Sequence, residues 1–234
     1  MSTPELDYIT VTGFKSIVSV EQLELRPINV MIGANGSGKS NFIGVFAFLH
    51  ALREGRLQDY VAKAGGADKI LHFGAKTTSA IEIRISFVGK VNQYEIKLEP
   101  NDADELFPSS ETVYYWNKKG YSRPWATGLA RIGKEAGISD PSVQRTASWV
   151  RQRLGSWRVY HFHDTSASSP MKKTADLNDN RFLRPDASNL SAFLYYLQTK
   201  HGESYGLIRS TIQRATPFFD DFQLEPSQLS PDKI

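Results

Sequence analysis

An eight-residue loop near the start of the chain carries residue types that could bind phosphate. Its sequence, Gly33-Ala34-Asn35-Gly36-Ser37-Gly38-Lys39-Ser40, fits the pattern G-x-x-x-x-G-K-[S/T] at every position. Glycine tolerates positive φ angles and has no Cβ, so such a loop can curl with its N–H groups around a phosphate. The lysine can reach the β- and γ-phosphates of a nucleotide, and the Ser40 hydroxyl can ligate Mg²⁺. The alternative is a glycine-rich turn with an incidental lysine.

The segments on either side of this loop decide between the two alternatives. Residues 28–32 form a short apolar run behind Pro27, which predicts a buried strand. After the loop, apolar residues recur at helical spacing, which predicts a helix from Lys39 to about Arg53 with one buried face. The start of that helix adds unpaired N–H groups and the positive end of the helix dipole. Strand, loop and helix together predict a nucleotide phosphate site.

Composition limits the class of protein. The chain has 234 residues, of which 40% are hydrophobic and 23% charged, values that are ordinary for a globular protein with a packed core. It contains no cysteine, which excludes disulfides and thiolate metal sites. Its first residues lack the profile of a signal peptide, and no apolar run approaches the roughly 20 residues that span a bilayer. We therefore expect a cytoplasmic protein.

Positive charge is concentrated in the second half of the chain. Residues 131–214 contain 13 Lys and Arg against 7 Asp and Glu, whereas residues 1–130 contain 14 of each. This excess is typical of a surface that contacts nucleic acid weakly and without sequence preference. A solvated surface near phosphates or near an acidic partner explains it equally well.

Alternating apolar residues predict antiparallel strands around the phosphate loop. Residues 8–11 and 17–25 form a candidate pair around Gly13, and residues 81–87 and 94–98 form a hairpin. The stretch TVYYWNKKGYS predicts a further hairpin, and residues 157–162 predict another strand. Helices are predicted at residues 141–154, 189–200 and 203–215. Half-exposed antiparallel strands differ from the wholly parallel sheet of small kinases and favour the two-lobed head of an ABC-type ATPase.

Three stretches resemble the RecF/SMC/OLD branch of ABC-type ATPases. They are YITVTGFKSIVSVEQLEL with its Gly-Phe-Lys-Ser turn, the Walker A stretch INVMIGANGSGKSN, and WRVYHFHDTS, which resembles the strand that leads into the Q-loop. The stretches DNRFLRPDASNLSAFLYYLQ and PFFDDFQLEP are similar to a bacterial group of predicted AAA-type ATPases, some tied to phage defence. The resemblance implies a P-loop NTPase fold: an α/β head with a central sheet, an antiparallel β subdomain and a helical lobe.

The resemblance also implies a nucleotide site with ATP and Mg²⁺ as cofactors. Two heads of this branch form a homodimer around two ATP molecules, and the dimer acts on DNA or on an effector protein. Lys15 and Ser16 would lie near the nucleotide, although a solvated turn between strands explains them equally well. Ser40 would also hold the metal. The residues that would hold the phosphates are Asn35, Gly36, Ser37, Gly38, Lys39, Ser40 and Asn41.

The chain departs from the family pattern where the Q-loop glutamine is expected. His163, Asp164 and Thr165 stand there instead. Asp164 would then take the metal-contacting role and His163 would position the attacking water. A His-x-His-Asp metal site that includes His161 is a weaker alternative, because the sequence offers no third imidazole or thiolate beside it.

A second departure concerns the elements that complete such a head. The chain contains no L-S-G-G-like signature, no run of four apolar residues followed by Asp-Glu, and no recognisable switch histidine. We therefore expect the N-terminal half of a head, with a nucleotide-binding lobe at residues 1–165 and the incomplete start of a helical lobe at residues 166–234. This chain alone should bind ATP with little turnover.

Three functions remain open at the level of sequence. The first is an ATPase head, or part of one, with a role in DNA repair or phage defence. The second is a regulatory module that binds a nucleotide without hydrolysing it. The third is a small P-loop kinase with Asp164 as its metal-binding or basic carboxylate, which the antiparallel hairpins disfavour.

Overall fold

The computed structural model describes residues 6–160, 162, 166 and 168–234. The chain divides into two compact units, Met1–Trp157 and Arg158–Ile234. The strands are β1 (Leu6–Phe14), β2 (Ile17–Glu24), β3 (Ile81–Phe87), β4 (Asn92–Pro100), β5 (Leu106–Tyr115) and β6 (Trp125–Gly128). The helices are α1 (Lys39–Arg53), α2 (Leu57–Ala64), α3 (Arg145–Ser156), α4 (Leu190–Lys200) and α5 (Gly202–Ala215).

All six strands form one antiparallel sheet in the first unit, in the order β2-β1-β3-β4-β5-β6. Alternation places Ile81, Ile83 and Ile85 on a fully buried face, while Glu82 between them is exposed. Helix α1 packs its apolar side into the same core, where the Phe48 ring lies 5.3 Å from the ring of Phe14. The predicted antiparallel strands are therefore confirmed, including the hairpin of β3 and β4. The further hairpin predicted within TVYYWNKKGYS forms between β5 and β6, but its second strand, Trp125–Gly128, lies beyond the predicted stretch.

The prediction of a buried strand before the phosphate loop is wrong. Residues 28–32 have no strand partner among the described residues, and Ile28, Val30 and Ile32 are 83%, 76% and 91% exposed. A buried strand needs neighbours on both edges and both faces, since its N–H and C=O groups must be paired once they leave water. The sheet that does form is entirely antiparallel, so the predicted central sheet is not found in the described part of the chain.

Two further boundaries differ from the sequence predictions. Residues 157–160 and 162 form no strand, and the exposed rings of Tyr160 and Phe162 lie 5.4 Å apart. The helix predicted from residue 141 begins instead at Arg145. The Asp140 side chain accepts a hydrogen bond from the Ser142 N–H at 2.8 Å, which closes a turn that competes with the first helical turn.

The second unit contains the two helices predicted for it. Helices α4 and α5 follow each other directly at His201, close to their predicted bounds. The buried amide of Asn189 organises the loop before α4, because it donates to the carbonyl oxygens of Asp179 and Phe182 and accepts from the N–H of Arg184. Backbone hydrogen bonds in both directions between Ala175 and Ile234 join the last residue to the segment before α4. This unit begins at residue 158, whereas the sequence prediction began its helical lobe at residue 166.

A buried carboxylate on β5 ties the sheet to the loop before α3. Glu111 is 5% exposed and accepts hydrogen bonds from the Tyr94 hydroxyl at 2.9 Å and from the N–H groups of Gly137 and Ile138 at 2.6 and 2.9 Å. Burial raises the pKa of Glu111 above its ordinary value, and the three hydrogen bonds oppose that rise. The network joins positions 26 and 27 residues apart in the chain, so no local pattern reveals it.

Replacing Glu111 by alanine should lower the free energy of unfolding by about 3 kcal/mol or more. Each buried donor left without an acceptor costs about 1–3 kcal/mol, and the substitution leaves several. The measurement is urea unfolding followed by circular dichroism. Glu99→Ala on β4 is the matched control, because its pair with Lys97 lies at the surface and a surface ion pair adds little to stability. Equal midpoints for the two variants would contradict the structural role of Glu111.

The carboxyl group of Glu111 should also make the free energy of unfolding depend on pH, with a sign that follows from its raised pKa. Because its native pKa is raised above 4.5, the native state binds this proton more tightly than the unfolded state. The contribution of Glu111 to stability should therefore fall as the pH rises through the interval from 4.5 to the raised native value. The Glu111→Gln variant should lose this component of the pH profile.

Candidate functional site

The phosphate loop, residues 33–40, leads directly into α1. The N-cap residue of α1 is Gly38, in the left-handed region at φ 91°, and no side chain caps the helix. The first turn contains no acidic residue, so no carboxylate of that turn neutralises the positive end of the helix dipole. The loop is therefore electrostatically suited to an anion.

The backbone of the loop supplies unused donors. Within the described residues, the N–H groups of Gly36, Gly38, Lys39 and Ser40 have no hydrogen-bond acceptor. The Ser37 N–H is used, because it donates to the carbonyl oxygen of Ala34 at 3.2 Å. Gly36, at φ 83°, has open space where a Cβ would stand. Free amides in such a loop fit the oxygen atoms of a phosphate.

The ammonium group of Lys39 lies inside the loop. It donates to the carbonyl oxygens of Gly33 and Ala34, both at 2.7 Å, and lies 3.4 Å from the Ser37 hydroxyl. These contacts hold the positive charge of Lys39 against the backbone of the loop. The Ser40 side chain at the start of α1 is exposed, so its hydroxyl is accessible to a metal ion.

The turn between β1 and β2 brings Ser16 to the phosphate loop. The Asn41 amide donates to the Ser16 hydroxyl at 2.8 Å, and a Cβ on Gly38 would lie 2.9 Å from that same oxygen. Gly13 makes this turn possible: it has φ 75°, and a Cβ there would lie 2.4 Å from the carbonyl oxygen of Ala80. Two segments of the resemblance, 25 residues apart, are therefore in contact.

Lys15 has different surroundings from Ser16. Its ammonium group lies 5.5 Å from the ring centroid of Phe14 and 5.8 Å from that of Tyr60. Its backbone is held at φ 50° because its N–H donates to the Ile70 carbonyl and its own carbonyl contacts Nδ1 of His72. Sequence reasoning missed Tyr60 and His72, and no local signal marks either residue.

A groove of about 950 Å³ adjoins the loop along α1. Lys39 and Ser40 lie at its edge, Phe42 and Ile43 of α1 form one wall, and Arg26 lies in the segment opposite. Sequence reasoning also missed Arg26, although its position just before the apolar run could have drawn attention to it. A nucleotide whose phosphates lie in the loop would have this groove beside it.

The predicted catalytic pair and metal ligand cannot be compared with this geometry. His163 and Asp164, like His161, lie outside the described residues, so their roles stay predictions. In the described part of the chain, no cluster of three or more His, Asp or Glu side chains is arranged to hold a metal ion.

Comparison with known proteins identifies the family. A family model described as an AAA domain, putative AbiEii toxin of a type IV toxin–antitoxin system, matches residues 28–196, a range that includes the phosphate loop and α1. No curated protein matches the chain. None of the helices in residues 6–160, 162, 166 and 168–234 has both the length and the apolar character needed to cross a membrane. The chain belongs to this family of AAA domains and is a nucleotide-binding, P-loop ATPase-like protein.

Proposed function

We propose that this chain is the ATP-binding part of a RecF/SMC/OLD-like ATPase head. ATP with Mg²⁺ binds at residues 33–40, and two heads close around the nucleotides to act on DNA or on an effector protein. The observation that carries the proposal is the set of N–H groups at Gly36, Gly38, Lys39 and Ser40 that find no acceptor among the described residues, in the same loop that the Lys39 ammonium contacts.

The protein's own groups divide the work of binding. The four amides and the α1 dipole hold phosphate oxygens, while Lys39 neutralises charge on the β- and γ-phosphates. The Ser40 hydroxyl would hold Mg²⁺, which bridges phosphate oxygens when it is bound. Ser16 and Asn41 position the loop through their hydrogen bond, since both side chains contact its helical end.

The antiparallel sheet supports the choice of branch. Its six strands beside a P-loop helix differ from the parallel sheet of small kinases, so the kinase alternative remains the least supported. The Gly-Phe-Lys-Ser turn contacts the phosphate loop through Ser16, which gives the N-terminal resemblance a physical role. The Asp164 and His163 roles are part of the proposal and rest on the sequence resemblance alone.

Sedimentation velocity tests the proposed dimerisation. With Mg²⁺ and a non-hydrolysable ATP analogue, the chain should shift from monomer to dimer, and with ADP it should not. Lys39→Ala should fail to shift, whereas Lys63→Ala, which removes an exposed lysine on α2, should behave like the unmodified chain. A dimer that forms equally without nucleotide would contradict the sandwich arrangement. Exposed Leu207 on α5 provides an apolar surface for such nucleotide-independent association.

The main alternative is a regulatory module that binds a nucleotide without turning it over. It is favoured by the lack of a strand ending in Asp-Glu in the sequence. Nucleotide binding without a nucleotide-dependent change in assembly would support this alternative over an ATPase head.

A further inference from the structure

The hairpin between β5 and β6 combines exposed aromatic rings with positive charge. Residues 116–125, named here the hairpin tip, contain three cations and no carboxylate. Tyr121 and Trp125 are 50% and 60% exposed, and their rings meet edge to face at 5.2 Å. No carboxylate pairs with Lys118, Lys119 or Arg123 among the described residues. Exposed rings beside unpaired cations are typical of surfaces that bind single-stranded nucleic acid.

The hairpin tip is an ordered structure. The Trp116 indole N–H donates to the Tyr121 carbonyl oxygen at 2.9 Å, and the Trp116 backbone N–H donates to Val91 at 2.7 Å. The Asn117 carbonyl accepts from the N–H groups of Gly120 and Tyr121. The Lys118 ammonium lies 5.1 Å from the centre of the Trp116 ring. Because these bonds already fix the turn, its rings need little further ordering to accept a ligand.

A groove of about 720 Å³ continues from the hairpin tip toward α3. Tyr115 and Trp125 are opposite each other in the register of β5 and β6, and both line the groove together with Trp149 of α3. Its volume lies within the range of about 300–1,000 Å³ that is usual for ligand pockets. The polar side chains of Asn92 and Gln144 and the cation of Arg145 also line it, and no carboxylate does. The groove can therefore stack planar rings and hydrogen-bond their edges.

We propose that the hairpin tip and this groove bind single-stranded nucleic acid. Lys118, Lys119, Arg123 and Arg145 attract the phosphate backbone, while Tyr121, Trp125 and the groove take unstacked bases. A single strand is favoured over a duplex because bases reach aromatic faces only when they are not stacked on each other. The surface does not depend on the phosphate loop, so the proposal stands or falls separately from the proposed nucleotide site.

Fluorescence anisotropy with a labelled oligothymidylate of about 15 nucleotides tests this proposal, since binding sites of this type cover about 4–16 nucleotides. Trp125→Ala should weaken binding about five- to a hundredfold, the effect of losing one base–aromatic stack. Trp125→Phe should keep most of the affinity. The thermal unfolding midpoint of each variant should match that of the unmodified chain, which is the control for an intact fold.

Charge variants separate the hairpin tip from the general charge of the protein. Lys118→Glu with Lys119→Glu should weaken binding and reduce its dependence on salt, because fewer counterions are released. Lys63→Glu with Lys76→Glu makes the same charge change at exposed positions elsewhere and should have a much smaller effect. Lys39→Ala should bind the oligonucleotide normally, even if it no longer binds ATP.

Three outcomes would overturn the proposal. One is equal affinity for Trp125→Ala and the unmodified chain, and another is duplex binding as tight as single-strand binding. The third is the absence of any binding to oligothymidylate or oligouridylate at low salt. That result would favour a different role for this region, in which a peptide strand pairs with the exposed edge of β6. The affinities for oligothymidylate and oligouridylate, measured side by side, show whether the surface prefers DNA or RNA.

Discussion

Replacing Lys39 by alanine should abolish ATP binding while leaving the fold intact. The ammonium group lies against the phosphate loop, 2.7 Å from two of its carbonyl oxygens, where it would meet the phosphates. A hydrogen bond to a charged group contributes about 1.5–3 kcal/mol, so losing the two contacts expected from Lys39 to the β- and γ-phosphates lowers affinity by about a hundredfold or more. The carbonyl oxygens that Lys39 contacts belong to exposed residues, so water replaces the lysine there at little cost to stability.

Isothermal titration calorimetry with ATP and Mg²⁺ measures this effect directly. The control is Lys63→Ala, which removes an exposed lysine from α2 at a position outside the loop. Circular dichroism of both variants should match that of the unmodified chain. Unchanged ATP affinity in Lys39→Ala would refute the assignment of residues 33–40 as the nucleotide site.

The 234-residue chain should bind ATP but hydrolyse it extremely slowly. Hydrolysis needs a carboxylate to orient water and groups that stabilise the charge that develops on the γ-phosphate. The sequence has no run of four apolar residues followed by Asp-Glu and no signature motif. In P-loop enzymes the loss of one arginine-finger contact alone costs about 10³–10⁵ in rate, so several missing groups should leave turnover near background.

The acidic pair in PFFDDF does not follow a strand, unlike the Asp-Glu pair that completes such a head. Residues 217–222 form no strand, and the Asp220 side chain is 96% exposed beside Arg209. The test is steady-state phosphate release by the purified chain, with Lys39→Ala prepared in parallel. Robust turnover that depends on Lys39 would reveal a catalytic acid elsewhere in the 234 residues. Asp164→Ala would then be the first variant to measure.

The positive charge of residues 131–214 is divided by the fold. Residues 131–157 belong to the first unit and residues 158–214 to the second. The prediction that this segment contacts a polyanion weakly therefore stays a prediction for each part. The aromatic and basic residues of the hairpin tip lie outside that segment, in the half of the chain whose charges balance.

The sequence by itself determined the local elements of the nucleotide site. Residues 33–40 match the phosphate-loop pattern, and apolar spacing predicted α1 with the bounds that it has, Lys39–Arg53. The hairpin of β3 and β4 was equally clear, because alternation over a few residues defines the buried face of a strand. Such features depend on residues that are close in the chain, so they can be predicted from the sequence alone.

Only the tertiary structure decided which distant groups meet. It brought Ser16 to Asn41, the N–H groups of Gly137 and Ile138 to Glu111, and α3 to the groove beside Trp125. It also showed that residues 28–32, apolar enough to predict a buried strand, lie exposed and unpaired in the described chain. The physical reason is the same in each case. Burial and hydrogen bonding across a fold depend on the partner that is present, and a partner far away in the sequence leaves no local periodicity.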